Sequence, residues 1–193
     1  MFLLTRPLRL ASSSRYRRAL LERLQLPFEC ISPALDEARR PLEAPAALAA
    51  RLALAKAQLI AEREPGAIVI GSDQVCALGD ECLGKPGSHA AQEAMLAQLS
   101  GKEVLFHTAV ALVCLESGLT AQHVDITRVR FRALGADEIA RYVAAEPAVD
   151  CAGGFKSEGL GITLFDQLAS DDPTALIGLP MIFVARTLRP FYA

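Results

Sequence analysis

Ala67-Ile68-Val69-Ile70-Gly71-Ser72-Asp73-Gln74 is the stretch from which the fold is read. The apolar run Ala67 to Ile70 is too short for a helix and rich in β-branched residues, so it predicts a compact buried strand. That strand is expected to end at Gly71-Ser72-Asp73-Gln74. A carboxylate at the end of a buried strand lies where open α/β sheets present their ligands. Asp73 there can hold a divalent cation against phosphates or orient an attacking water. An aspartate in an ordinary turn fits the same pattern.

Leu8 to Ala11 is a short apolar run that leads into Ser12-Ser13-Ser14 and a helical stretch through Leu26. Leu20, Leu21 and Leu24 give this stretch its apolar side. Strand, serine turn and helix start form a common cradle for phosphate, because free N–H groups and the helix dipole both favour an anion. Serines are also preferred as plain helix caps, and geometry does not separate the two readings. Phe28 to Ser32 reads as a second strand leading to Asp36-Glu37, and residues 46–63, with Pro45 near their start, as a helix. Beyond Asp73, Gly79-Asp80 predicts a hairpin turn between Val75–Leu78 and Glu81–Leu83. A helix over 88–99 follows and ends at Ser100-Gly101. Val104–Leu115 and Ala121–Phe131 form a long antiparallel hairpin, 136–145 a helix, and 180–188 a final short helix. The expectation is an α/β fold: a mixed twisted sheet with flanking helices, two lobes around a central cleft, and one unit over residues 1–193.

Composition narrows the class. The chain has 193 residues, 52% of them hydrophobic, enough to build a core without disulfides or a structural metal. Twenty basic residues against 22 acidic ones give a net charge of −2, which argues against nucleic-acid binding. The five cysteines are scattered without a Cys-x-x-Cys pair, and the three histidines do not cluster with them, so neither a disulfide framework nor a zinc site is expected. Arg6, Pro7 and Arg9 break the apolar N-terminal stretch, and no run has the length of a membrane span. The expected location is the cytoplasm, with no membrane partner.

Several charges lie on separate predicted elements: Arg17 after the serine turn, Lys56 in the alanine-rich helix, and Lys85 in Gly84-Lys85-Pro86. A triphosphate would draw such cations together. Asp36-Glu37 ends a neighbouring strand and can complete a magnesium or manganese site with Asp73, since substrate phosphates supply further ligands.

Leu10-Ala11-Ser12-Ser13-Ser14 with Arg17-Arg18, Leu35-Asp36-Glu37, Ala55-Lys56-Ala57, Ile70 to Val75, Gly84-Lys85-Pro86, Thr108-Ala109-Val110 and Gly178-Leu179-Pro180 occur in one order along nearly the whole chain. In that order and spacing the chain resembles the Maf family of nucleotide pyrophosphatases. Gly71 to Cys76 and Cys151 to Gly159 resemble its 7-methyl-GTP branch. The resemblance implies a Maf/ITPase-like fold and hydrolysis of 7-methyl-GTP to 7-methyl-GMP and diphosphate, clearing a modified nucleotide from the pool. It also implies Asp73 as proton acceptor, Tyr16, Gln74 and Glu158 as selecting residues, and a homodimer. Ser12, Arg17, Lys56 and Lys85 are the expected phosphate contacts; Glu37 and Asp73 are the expected ligands of Mg²⁺ or Mn²⁺. Chemically, Glu158 can accept from the guanine N–H groups, Tyr16 can stack on the cationic base, and Gln74 can donate or accept at a base or sugar edge. Ser14-Arg15-Tyr16 stands where this branch usually has Ser-Pro-Trp, leaving a smaller aromatic face and an added cation. Broader hydrolysis of GTP, UTP or dTTP and a nucleotide-sensing role in cell division are the alternatives.

Overall fold

A computed structural model describes residues 3–193; Met1 and Phe2, the start of the apolar N-terminal stretch, lie outside the described residues. The first elements are strand β1 (Leu8–Ala11), helix α1 (Arg15–Glu22), strand β2 (Glu29–Cys30), helix α2 (Pro45–Ala61) and strand β3 (Ile68–Leu78). Strand β4 (Glu81–Leu83), helix α3 (His89–Leu99), strands β5 (Glu103–Cys114) and β6 (Leu119–Phe131), helix α4 (Ala136–Ala145), strand β7 (Phe165–Ala169) and helix α5 (Met181–Leu188) follow. The strands form one mixed seven-stranded sheet in the order β2-β1-β3-β5-β6-β7, with β4 paired to the far end of β3. β1 runs parallel to β2 and β3, and the remaining pairs are antiparallel.

Three expectations are corrected. The central strand does not stop at Ile70 but runs through Gly71, Ser72, Asp73 and Gln74 to Leu78. β5 pairs with it from Val69 through Ala77, and this ladder holds the backbone extended past the glycine. α1 ends at Glu22 rather than Leu26, and Gln25 takes a left-handed φ of 54° as the chain turns. The second strand shrinks to two exposed residues at the sheet edge, where only β1 supports it. β7 carries little apolar signal: most of it is exposed, and pairing with β6 rather than burial defines it.

Directly opposed residues share a sheet face, so Gln74, Thr108 and Asp125, in register across three strands, lie on one side. Asp73 lies on the other. On the Gln74 side, Ile70, Val110 and Leu112 join Leu20, Val184 and Leu188 in one apolar cluster. Cys76, Phe106, Val129 and Phe131 join Leu96, Ile139 and Val143 in another. The polar row of Gln74, Thr108 and Asp125 separates them, so the two expected lobes are two apolar cores divided by a polar belt. α2 covers the opposite side. Ala49, Ala53, Ala57 and Ala61, one every fourth residue, are almost wholly buried on it. At Gly71 a Cβ would lie 2.2 Å from the Ala53 carbonyl oxygen and 2.6 Å from the Ala57 nitrogen. Alanine against glycine therefore sets the close approach of helix and strand, and Lys56 is carried to Asp73 by it.

Candidate active site

The last β1–β3 pair is Ala11 with Gly71, and the first β3–β4 pair is Cys76 with Leu83. Between them the edge of β3 from Ser72 to Val75 has no strand neighbour on that side. A cleft of about 700 Å³ opens there, bordered by the serine turn, Glu37, Lys56, Asp73, Gln74 and Lys85. β1 ends early because its chain turns at Ser12, where Ser12 Oγ accepts from the Ser14 N–H at 3.1 Å. Ser14 caps α1, its hydroxyl accepting from the Arg17 N–H at 3.4 Å. The helix-cap reading of the serine turn holds, and the turn also borders the cleft.

At the centre, Lys56 Nζ lies 2.6 Å from Asp73 Oδ1 and 2.7 Å from Glu37 Oε1. Lys56 and Asp73 are buried at 6% and 7% exposure, whereas the Glu37 side chain is about half exposed. Burial pushes the Asp73 carboxyl above its ordinary range; the Lys56 ammonium and the Arg17 guanidinium pull it back, and Glu37 adds to the rise. Arg17 Nε donates to the Gly178 carbonyl at 2.9 Å and Nη1 to Ser12 Oγ at 3.4 Å. Burial lowers the Arg17 pKa while Asp73 and Glu37 oppose that shift, and a guanidinium keeps its charge at neutral pH regardless. Lys85 is exposed and unpaired among the described residues. Asp36 stays outside: its carboxylate accepts from the Ala38 N–H at 3.0 Å in a local turn.

A smaller recess of about 90 Å³ adjoins the cleft, and Tyr16, Gln74, Lys85, Phe155 and Glu158 border it. Tyr16 is half-buried on the first turn of α1, whereas Glu158 is exposed. Gln74 Nε2 faces Thr108 Oγ1 at 3.0 Å, the Ala175 carbonyl at 3.1 Å and the Leu176 carbonyl at 2.9 Å. Its donors are therefore engaged internally, and the expectation that Gln74 can donate to a ligand narrows to acceptance through its amide oxygen. Lys156 Nζ is tied to the Pro147 carbonyl at 2.7 Å.

Other contributors escape sequence reasoning. Asp150 accepts from Tyr16 across the cleft, and Ser72 Oγ lies within 2.9 Å of the Gly178 carbonyl that also holds Arg17. Glu146 receives the Leu160 and Gly161 N–H groups at 3.2 and 3.1 Å, pinning the loop that carries Glu158. A Cβ on Gly159 would lie 2.1 Å from Glu146 Oε1, so the glycine there was the available signal. Asp125 and Asp172, both buried, receive Ser170 Oγ and the Ile182 N–H and brace the turn that supplies the Gln74 acceptors. Isolated acids of this kind give no sequence signal.

Residues 7–191 match the family described as Maf-like protein. The chain belongs to the Maf-like protein family. Its relatives include a 7-methyl-GTP pyrophosphatase of Xanthomonas axonopodis pv. citri, 58% identical over 93% of this chain and 94% of the relative. Proteins of the same description from Aromatoleum aromaticum and Albidiferax ferrireducens are 55% and 51% identical, over 93% and 95% of this chain and 93% and 92% of theirs. The mixed sheet with flanking helices accords with this membership of the Maf-like family. Among the described residues no helix is long and apolar enough to cross a membrane.

Proposed function

We propose that the chain hydrolyses 7-methyl-GTP to 7-methyl-GMP and diphosphate. The observation that carries this reading is the buried Lys56–Asp73 pair at the uncovered edge of β3, adjoining a recess bordered by Tyr16, Gln74 and Glu158. Relatives at 51–58% identity bear the same activity in their names, which favours the methylated substrate. The triphosphate lies in the larger cleft against Lys56, Arg17, Lys85 and Ser12, whose charge and donors complement phosphate oxygens. Asp73 accepts the proton of the attacking water, and its raised pKa makes it a better base than a solvated carboxylate. In the recess, Glu158 accepts from the guanine N–H groups, Tyr16 stacks on the cationic base, and the Gln74 oxygen accepts at its edge.

Glu37 and Asp73 converge on a single ammonium, and two carboxylates facing one cation are a hard-oxygen donor set suited to Mg²⁺ or Mn²⁺. No third His, Cys, Asp or Glu joins them among the described residues, in keeping with a metal that completes its shell on substrate phosphates. Such an ion, when bound, neutralises phosphate charge and acidifies water. We further read the chain as one cytoplasmic unit over 1–193 that acts on a small nucleotide rather than on nucleic acid, and as a homodimer.

Pyrophosphate release from 7-methyl-GTP, GTP, UTP and dTTP, with Mg²⁺ or Mn²⁺ and an EDTA control, tests the proposal. The expected result is preference for 7-methyl-GTP, loss of turnover in EDTA, and a weakened preference in Glu158→Gln. Preference for another nucleotide would overturn the pocket assignment. Tight binding without turnover would favour the sensing role.

A further inference from the structure

Across the mouth between cleft and recess runs a contact that joins two elements far apart in the chain. Tyr16, on the first turn of α1, has its phenolic oxygen 3.2 and 3.3 Å from the two carboxylate oxygens of Asp150, in the segment after α4. Arg15 Nη2 donates to that phenolic oxygen at 2.8 Å and lies 3.4 Å from Asp150 Oδ2. The Arg15 guanidinium also sits over the Tyr16 ring, 4.8 Å from its centroid. Arg15 borders the cleft but not the recess, whereas Tyr16 and Asp150 border both. The guanidinium thus lies over one face of the ring, and Arg15 does not line the recess.

We propose that Asp150 is a positioning residue for base selection: by holding the Tyr16 hydroxyl from the opposite wall, it fixes the direction of the side chain and so the position of the ring on which a cationic purine stacks. The proposal rests on the stacking role given to Tyr16 above. A side chain free to swing between rotamers must be ordered when the base arrives, at a cost in affinity; one already tied at its far end avoids most of it. Cys151 reinforces the tie from the recess side, its thiol 3.6 Å from Asp150 Oδ1 and made a poor nucleophile by burial, which pushes its pKa up to about 11. The effect of Asp150 passes through the Tyr16 hydroxyl and not through its own charge on the base. That separates it from Glu158, which has no tie to the ring.

A double-mutant cycle read by calorimetry tests this, with 7-methyl-GMP and GMP as ligands so that binding is measured without turnover. Wild type is expected to bind the methylated nucleotide more tightly. Tyr16→Phe, which keeps the ring, and Asp150→Ala are each expected to reduce the 7-methyl-GMP to GMP affinity ratio about fivefold, the size of one partly exposed hydrogen bond. The double variant should be no worse than either single one. Asp150→Asn should stay close to wild type, because its amide oxygen accepts the same hydroxyl. The proposal is overturned if Asp150→Ala costs as much in the Tyr16→Phe background as in wild type. Loss of selectivity in Asp150→Asn, or absence of any preference in wild type, overturns it as well. Failure of the hydrolase reading would show elsewhere, as absent pyrophosphate release, and leaves this binding cycle readable.

Discussion

Lys56→Met removes the ammonium from the centre of the site while keeping the length and apolar stem of the side chain. Lys56 and Asp73 side chains are only 7% and 10% exposed, so water screens their 2.6 Å contact little. Removing one member of such a pair costs roughly 3–5 kcal/mol if the other stays ionised. Asp73 has an alternative, which is to take up a proton. From an ordinary value of 3.8, that costs at most about 4 kcal/mol at pH 7 and about 2 kcal/mol at pH 5. The sign follows from linkage. Because the folded pKa of Asp73 lies above the unfolded one, the folded state holds its proton more tightly. The stability this group contributes is therefore greatest at low pH and falls as pH climbs from 3.8 through the folded value. Loss of Lys56 removes the main influence holding the folded value down and carries that fall further toward neutral pH. Urea unfolding of wild type and variant in EDTA at pH 5, 6 and 7 should show a destabilisation of a few kcal/mol at pH 7 that shrinks by about half at pH 5. Adding Asp73→Asn should abolish the pH dependence. A destabilisation equal at pH 5 and pH 7 would refute the idea that Lys56 is chiefly the countercharge of Asp73.

Asp73→Asn is isosteric and removes the proton acceptor, so pyrophosphate release is expected to fall by about three orders of magnitude or more while the circular dichroism spectrum stays native-like, Glu37 remaining as the partner of Lys56 and the melting temperature falling. Wild-type-like turnover in the folded variant would remove Asp73 from the chemistry. Gly71→Ala places a methyl group 2.2 Å from the Ala53 carbonyl oxygen, so α2 must retreat from β3. A stability loss of about 1–3 kcal/mol by chemical denaturation is expected, with a larger fractional loss of activity because Lys56 moves with the helix.

Periodicity and turn chemistry made most of the architecture legible in the sequence. The β5–β6 hairpin, the Gly79-Asp80 turn, Ser88 at the start of α3 and the alanine-rich α2 are local patterns, and local patterns survive into the fold. Motif order made the family legible as well, because many weak matches in one sequence order are jointly specific. That β3 runs on past Ile70 was not legible, since the residues that carry it past Gly71 are partners on β5, from Ala111 to Leu105, far along the chain. Nor was β7, whose existence rests on the edge of β6 rather than on its own side chains.

The site divides in the same way. Which residue types are present, a buried-strand aspartate, a helix lysine, an aromatic after a serine turn, was decided by the sequence alone. Their meeting was decided by tertiary structure. The short β1 leaves the edge of β3 bare opposite Ser72 to Val75, and Gly71 lets α2 bring Lys56 to Asp73. The two-residue pleat places Asp73 and Gln74 on opposite faces of one strand, which separates the charged centre from the Gln74 acceptors. Asp150 became visible only there, because a hydrogen bond spanning 134 positions leaves no trace in local sequence.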